Sequence, residues 1–355
     1  LLEHALEPTE RRRLGAHYTP RRFVEHMVEL TVMEVLRADW SQVQQSVEMA
    51  CDEGDARGAV RLVKTFHQTL CRTRVLDPAC GTGNFLYVAL EQMKKLEGEV
   101  LQTLLDLGQS DTLALDTVDP HQFLGLELNP RAAAIADVVL WIGFLQQHYR
   151  NHTGHPSQPI LKAHGNIRCT DAALDWDAAP AVVTGYHDGA PVQLWPNPRP
   201  ATWPEAEFIV GKDLRSRLDP GYAEALWAAH PRMNESADLV MYWWDQAADI
   251  LTRPGATLRR FGFVTTNSIT QVFQRRTVER WLDGPRPLSL IHAAPDHPWT
   301  KASRDSAAVR IAMTVVQAGR HDGTLLTRVS ESALDTDEPV IELAACSGRI
   351  NADLT

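Results

Sequence analysis

Two acidic residues and a glycine-rich turn are the features of this sequence best suited to chemistry. Asp77 follows the apolar pair Val75-Leu76 and opens Asp77-Pro78-Ala79-Cys80-Gly81-Thr82-Gly83-Asn84, after which apolar residues recur at helical spacing. Glu127 ends a second apolar run. In an open parallel sheet, ligands bind beyond the carboxyl ends of the strands, where glycines allow close backbone approach and an acid can hold ribose hydroxyls. The pattern therefore predicts a nucleoside cofactor held by Asp77 and Glu127.

The glycine turn departs from the fingerprint that binds a pyrophosphate. Gly81 and Gly83 fit G-x-G, but Leu86 stands where a third glycine or alanine belongs, and Pro78 follows the acid. Glu127 comes fifty positions after Asp77, against about 20 in a compact dinucleotide unit, so an insertion is expected over 101–122. These departures favour a cofactor with a carboxylate, an amine and a sulfonium. An NAD-dependent oxidoreductase is the alternative enzyme class.

The elements that must position these residues follow from the apolar periodicity. Helices are predicted over 21–36, from the glycine turn toward Glu99, from Asn129-Pro130 to Leu145, and over 238–251, where Trp243 and Trp244 are expected in the core. Besides the strands before Asp77 and Glu127, strands are predicted at 163–167, 208–210, 261–265, 288–293, 307–316, 325–329 and 340–343. The alternation predicts an α/β fold with a doubly wound, mostly parallel sheet. The stretch 175–203, rich in Pro, Gly, Asp and Trp, predicts a long loop.

Composition narrows the class of protein. The 355 residues are 44% hydrophobic and 23% charged, and no apolar run reaches the about 18 residues of a membrane span. A net charge of −10 argues against nonspecific coating of nucleic acid but leaves room for a local basic cleft. Five cysteines without CxxC spacing indicate reduced thiols, a cytoplasmic location and no metal site.

Four segments, in this order, resemble motifs X, I, II and III of the gamma-class N6-adenine DNA methyltransferases. They are Gly15-Ala16-His17-Tyr18-Thr19-Pro20, the turn from Asp77 to Leu86, Gly125-Leu126-Glu127-Leu128-Asn129-Pro130-Arg131-Ala132, and Gly165-Asn166-Ile167 with Asp171. Within that class the sequence is similar to the DISARM phage-defence methylase and to the methylase part of single-chain type IIL restriction enzymes. The likeness continues through 263–268 and 297–300, over nearly the whole chain.

The resemblance implies a Rossmann-like class I methyltransferase fold with long loop insertions. It divides the chain into an N-terminal helical segment with motif X at 1–72, a methyltransferase core at 73–320, and the start of a C-terminal extension at 321–355. Family members carry a target-recognition region beyond that point, so a larger protein is expected. The implied activity is methyl transfer from S-adenosyl-L-methionine to the N6 of adenine in double-stranded DNA, in restriction-modification or phage defence, with other defence-system subunits as further partners.

Site residues follow from the same resemblance. Asp77 would face the amine of the cofactor, Glu127 would hold its ribose, and Ile167 with Asp171 would contact its adenine ring. The full implied cofactor set is Tyr18, Thr19, Pro20, Asp77, Pro78, Ala79, Cys80, Gly81, Thr82, Gly83, Asn84, Phe85, Glu127, Leu128, Ile167 and Asp171. For Tyr18 to Pro20, a simple turn that initiates a helix is an equally good interpretation.

The catalytic segment of the family is missing from the sequence. In the family an Asn-Pro-Pro-aromatic tetrapeptide follows the fourth strand, but here Glu207 to Gly211 is followed at once by Lys212-Asp213-Leu214. The interpretations are a mobile loop left out of the sequence, an engineered deletion, or a naturally inactive homologue. The first predicts a break in the backbone between Val210 and Lys212. A noncatalytic scaffold of a defence complex is therefore a further alternative function.

Contacts to DNA are expected from basic and aromatic residues. Trp299 is the candidate for stacking on an extruded base, with burial under a loop as the alternative. The candidate phosphate contacts are Lys212, Arg215, Arg275 and Arg276, which could equally lie on a solvated helix face. His297 is expected to be structural.

Overall fold

A computed structural model describes residues 20–109, 116–151, 165–177, 183–187, 190–212, 220–298, 310–332 and 340–355. The helices are α1 (Arg21–Val28), α2 (Glu34–Asp52), α3 (Ala56–Leu70), α4 (Asn84–Asp106), α5 (Pro130–Asn151), α6 (Pro220–Ala229), α7 (Leu239–Leu251) and α8 (Val272–Leu282). The strands are β1 (Val75–Asp77), β2 (Phe123–Glu127), β3 (Ile167–Cys169), β4 (Leu174–Asp175), β5 (Val183–His187), β6 (Ala190–Leu194), β7 (Arg199–Pro200), β8 (Phe208–Lys212), β9 (Arg260–Thr266), β10 (Leu288–Pro298), β11 (Arg310–Ala318), β12 (Gly323–Ser332) and β13 (Val340–Gly348).

Contacts divide the chain into two units. The N-terminal unit comprises Val24–Cys169 and Glu205–Val210, and the C-terminal unit comprises the remainder. The predicted α/β fold is confirmed, and every strand predicted before Ser332 has its counterpart within a few residues. None of the described helices combines the length and the apolar character that a membrane crossing requires.

The N-terminal unit contains a parallel sheet in the order β8-β1-β2-β3. All three residues of β1 are buried, as expected for a central strand covered on both faces. Helix α4 packs along β1 and β2 and buries Phe85, Leu86, Leu90 and Met93. The predicted insertion at 101–122 is occupied in part by the last turns of α4 and by a 3₁₀ turn, Pro120–Gln122, that leads into β2.

The C-terminal unit contains a mixed sheet. β11 is antiparallel to both β9 and β10, β12 runs parallel to β10, and β13 is antiparallel to β12. Trp243 and Trp244 are both buried on α7, which confirms their predicted place in the core. The tail of the chain, where only two short strands were predicted, forms two long ones, because each supplies the other's ladder hydrogen bonds.

The stretch 175–203 is more ordered than its composition predicted. β5 and β6 form an antiparallel hairpin, and β4 pairs with β7. Trp203 donates its indole N–H to the carbonyl of Ala172 at 2.7 Å. The prediction of a single long loop was therefore wrong. Frequent proline and glycine residues indicate turns, but they do not show that the residues between the turns pair as strands.

Candidate cofactor site

The glycine turn after β1 is tied to the acid at the end of β2. The Gly81 N–H donates to Glu127 Oε2 at 3.0 Å, and the Asn129 N–H donates to Glu127 Oε1 at 2.8 Å. The Cys80 N–H donates to the carbonyl of Leu126 at 3.0 Å. Two segments separated by fifty residues thus share one hydrogen-bond network, which the sequence could only suggest. Each Glu127 oxygen has a second lone pair with which it can accept from a hydroxyl.

Asp77 is buried at the carboxyl end of β1. Its Oδ1 accepts from the Ala79 N–H at 3.0 Å, which fixes the side chain beneath the turn. Burial raises the pKa of Asp77 to about 8 against the effect of that hydrogen bond, and the neighbouring Glu127 adds to the rise. In these surroundings the ionised form of the carboxyl is unfavourable by itself. A nearby cation, such as the protonated amine of a ligand, would stabilise it.

Glycines shape the space around these acids. Gly125 on β2 is closely packed, since a Cβ there would lie 2.6 Å from Cys80 Sγ and 2.8 Å from Ile167 Cδ1 and both side chains would have to shift. Gly81 has a φ of +54°, and a Cβ on it would meet nothing within 4 Å. The turn is therefore packed tightly against β2 on one side and open at Gly81, as a backbone cradle for a ligand must be.

The remaining predicted residues of the N-terminal unit divide between packing and accessible positions. Pro78, Cys80 and Phe85 are buried, whereas Thr82 and Leu128 are exposed and Ala79, Asn84 and Ile167 are half-buried. Gly83 has a φ of +84° at the start of α4, and a Cβ there would lie 3.2 Å from Ala136 on α5. Gly83 therefore allows α4 and α5 to pack closely. Gly81 is the glycine of the turn that has open space beside it.

Asp171 lies in the C-terminal unit with its own partners. Its Oδ1 accepts from the N–H groups of Ala173 and Leu174 at 2.7 and 3.1 Å, and its Oδ2 accepts from the hydroxyl of Tyr222 at 2.9 Å. The carboxylate thus stabilises the turn before β4. Its predicted contact with an adenine ring stays a prediction.

The predicted DNA-contacting residues differ in their surroundings. Arg276 is exposed on α8, whereas Arg275 is paired with Glu279 at 2.9 Å and lies 4.0 Å from Asp353. Lys212 is half-buried at the end of β8. Of the predicted site residues, Tyr18, Thr19, Arg215 and Trp299 lie outside the described residues. Pro20 lies just before α1 and accepts from the Phe23 N–H.

His297 has the structural role that was expected of it. The ring is buried, stacks edge-to-face on Phe23 with centroids 5.0 Å apart, and lies 3.0 Å from the carbonyl of Pro298 through Nδ1.

The end of β8 offers none of the groups expected there. β8 runs from Phe208 to Lys212. The interpretation of an omitted loop after Gly211 stays a prediction. In the sequence Gly211 is followed directly by Lys212-Asp213-Leu214, without the Asn-Pro-Pro segment expected there.

Sequence analysis missed a polar cluster at the end of β9. The carboxylate of Asp238 accepts from the hydroxyls of Thr266, at 2.9 Å, and Ser268. Asn267 Oδ1 accepts from the N–H of Asp296 at 2.8 Å, which secures a residue held at a φ of +52°. The run of Thr, Asn and Ser after an apolar strand was the available signal.

Comparisons with known proteins agree with this architecture. The family model of the MmeI DNA-methyltransferase domain matches residues 49–327. DNA methyltransferase A of Bacillus subtilis (strain 168) is 26% identical over 206 residues, which are 56% of this chain and 21% of that protein. The chain thus spans about a fifth of the length of this relative.

A solved structure extends the comparison to the whole fold. The type IIL restriction-modification enzyme MmeI, solved in complex with DNA, superposes with a TM-score of 0.67 at 24% identity, covering 99% of this chain and 42% of that one. That similarity confirms the Rossmann-like fold implied by the sequence motifs.

Proposed function

The chain belongs to the family of MmeI DNA-methyltransferase domains, and we propose that the protein transfers a methyl group from S-adenosyl-L-methionine to the N6 of adenine in double-stranded DNA. It would do so within a larger bacterial restriction-modification or phage-defence enzyme. The observation that carries the proposal is the hydrogen bond between Gly81 and Glu127 at 3.0 Å, which joins the glycine turn to the ribose-binding acid in one preformed site.

Residues of the N-terminal unit are suited to the amine, the ribose and one face of the adenine ring of this cofactor. Asp77 holds the amine, because a cation compensates the cost of keeping that carboxylate buried. The free lone pairs of Glu127 accept from the two ribose hydroxyls, and Ile167 offers an apolar side chain to the adenine ring. Tyr18, Thr19 and Pro20 flank the methionine end, and Asp171 contacts the adenine edge in the same proposal.

The reaction makes a demand that these residues do not meet. S-adenosyl-L-methionine supplies an electrophilic methyl group, while the lone pair of an exocyclic amine is delocalised into the base. The protein must therefore extrude the base, with Trp299 as the stacking candidate, and accept from both amine N–H bonds so that the lone pair turns toward the methyl group. We place these acceptors in a segment directly after Gly211, where the gene should encode Asn-Pro-Pro followed by an aromatic residue.

Ligand binding and product analysis test the proposal. Calorimetric titration should give one S-adenosyl-L-methionine per chain and no binding of NAD, since the turn lacks the third glycine of the pyrophosphate site. Binding of NAD alone would favour the oxidoreductase. Mass analysis of DNA nucleosides after reaction with the protein encoded by the intact gene should give N6-methyl-2′-deoxyadenosine, and N4-methyl-2′-deoxycytidine would contradict the proposed base.

A noncatalytic scaffold is the second candidate, and the sequence Gly211-Lys212-Asp213, which has no Asn-Pro-Pro, favours it. Such a protein would bind S-adenosyl-L-methionine and DNA and support other defence-system subunits. A gene sequence without codons between Gly211 and Lys212, together with cofactor binding and no methyl transfer, would identify it.

A further inference from the structure

Three side chains of the N-terminal unit form a group of metal-ligand type that the cofactor site does not use. His67 lies on the last turn of α3, Cys71 follows the end of that helix, and Glu97 lies on α4. One ligand atom of each lies within 4.8 Å of the others. His67 and Glu97 are each 1% exposed, and Cys71 is half-buried.

The separations of the three atoms fit a transition-metal ion. His67 Nε2 lies 3.4 Å from Glu97 Oε1 and 3.7 Å from Cys71 Sγ, and the sulfur lies 4.0 Å from the same oxygen. The point equidistant from these three atoms is about 2.1 Å from each. Zinc bonds are about 2.0–2.1 Å to imidazole nitrogen, 2.3 Å to thiolate and 2.0–2.2 Å to carboxylate.

The same separations are unfavourable for direct hydrogen bonds. A charge-assisted N–H···O bond is about 2.7–2.9 Å long, so the 3.4 Å between His67 and Glu97 is too long for a good one. The contacts of the sulfur, at 3.7 and 4.0 Å, are at the outer limit for sulfur. The three polar atoms therefore converge at separations longer than those of strong mutual hydrogen bonds.

Glu97 is oriented as a ligating carboxylate would be. Its Oε1 accepts from the Thr117 hydroxyl at 2.9 Å and from the Val118 N–H at 2.8 Å. Its Oε2 is bonded to the ammonium of Lys94, which also donates to Thr117 at 2.8 Å. Outer hydrogen bonds of this kind fix the ligands of metal sites. Because Lys94 takes Oε2, the atom of Glu97 that would bind an ion is Oε1, which faces His67 and Cys71. The Thr117 hydroxyl would then have to turn away from Oε1 to leave it a lone pair.

We propose that His67 Nε2, Cys71 Sγ and Glu97 Oε1 bind a divalent transition-metal ion, with zinc as the ion that best matches this donor set, and that the ion joins α3 to α4. The thiol loses its proton to solvent on binding, and the imidazole binds in its neutral form. The half-buried sulfur leaves one side of the ion accessible to a water as fourth ligand. This site goes beyond the proposed methyl transfer and does not depend on it, and it revises the expectation of no metal that rested on the absence of CxxC spacing.

Cobalt is a suitable probe because its spectrum reports both sulfur ligation and geometry. Titration of the tag-free chain with Co²⁺ should show one equivalent bound, with a thiolate charge-transfer band in the near ultraviolet and d–d bands of a four-coordinate ion. Cys71→Ser should remove the charge-transfer band and weaken zinc binding by at least about 100-fold, since loss of an outer-shell partner alone costs about 10- to 100-fold. Cys51→Ser, at an exposed cysteine on α2, is the matched control and should change neither.

A measurement on the unaltered protein keeps the test independent of how the variant folds. X-ray absorption of the zinc-loaded chain should give one sulfur and two or three nitrogen or oxygen neighbours. A first shell without sulfur, no stoichiometric binding, or equal zinc affinity in Cys71→Ser and Cys51→Ser would overturn the proposal. Neither experiment uses DNA or S-adenosyl-L-methionine, so failure here leaves the proposed function untouched.

Discussion

The ends of β1 and β2 and the end of β8 are equivalent places in a parallel sheet, but they are equipped very differently. At β1 and β2, two buried acids and a glycine turn are already joined by backbone hydrogen bonds at 2.8 to 3.0 Å. β8 ends at Lys212, and the sequence there lacks the Asn-Pro-Pro segment that would accept from a base amine. In the proposed function, cofactor binding and methyl transfer would therefore depend on separate segments, and one could be present without the other.

Insertion of Asn-Pro-Pro-Phe between Gly211 and Lys212 should have the largest effect. It would place amide and carbonyl acceptors at the end of β8, so methyl transfer to adenine should rise above background by on the order of 100-fold or more, the scale of one preorganised polar contact in a transition state. Mass analysis of N6-methyl-2′-deoxyadenosine in the DNA measures the transfer. An insertion of Gly-Ala-Ala-Ala at the same place is the length-matched control. Equal methyl transfer by the unaltered chain would contradict the idea that the end of β8 lacks the groups needed for catalysis.

Asp77→Asn should abolish most cofactor affinity. Removing one charge of a buried ion pair costs about 2 kcal/mol or more, which is at least about 30-fold in Kd. Calorimetry with S-adenosyl-L-methionine measures the loss, and Asp52→Asn, at an exposed position on α2, should leave Kd unchanged. An unaltered Kd in Asp77→Asn would contradict the assignment of the site.

The raised pKa of Asp77 predicts a second effect of Asp77→Asn, on the dependence of stability and binding on pH. Because burial raises the pKa of Asp77 to about 8 from an ordinary 3.8, its contribution to stability is fully present below about pH 4 and is lost as the pH rises to about 8. At pH 8, Asp77→Asn should therefore melt at or above the temperature of the unaltered protein. Cofactor binding at pH 7 should release a proton, visible as a buffer-dependent binding enthalpy, and Asp77→Asn should not show it.

Gly125→Ala tests whether the packing of the turn against β2 is required. The added Cβ would meet Cys80 Sγ at 2.6 Å, and overpacking of this kind costs about 1–3 kcal/mol. The free energy of unfolding from denaturant titration measures the change. Cys80→Ala in the same chain should restore part of the loss, because it removes the nearest atom, and strict additivity of the two substitutions would rule out that contact as the cause.

Arg276→Ala should have the smallest effect. If Arg276 contacts a phosphate, its loss should weaken DNA binding uniformly across sequences and reduce the salt slope of log K by about 1. Arg57→Ala, at an exposed position on α3 of the N-terminal unit, is the control. An equal salt slope in both variants would remove α8 from the DNA interface.

Local patterns of the sequence were sufficient for most of the fold. Apolar periodicity placed β1, β2 and β8 and the helices α4, α5 and α7, because burial on both faces imposes a short apolar strand and a helix repeats its apolar residues along one face. Helices α3, α6 and α8 were not predicted. The pairing of one strand with another could not be predicted from local sequence patterns. The hairpin of β5 and β6, the length of β12 and β13, and the bond from Asp238 to Thr266 all join residues whose sequence shows only turns or isolated polar groups.

The sequence by itself determined the glycine turn, the positions of both acids and the family. Each of these can be recognised from short runs of adjacent residues. Only the tertiary structure decided that Glu127 accepts from Gly81, that Gly125 has no room for a Cβ, and that His67, Cys71 and Glu97 converge from two helices. The physical reason is that hydrogen bonding and coordination depend on distances of about 2–4 Å between atoms, and chain order does not specify such distances for residues that lie tens of positions apart.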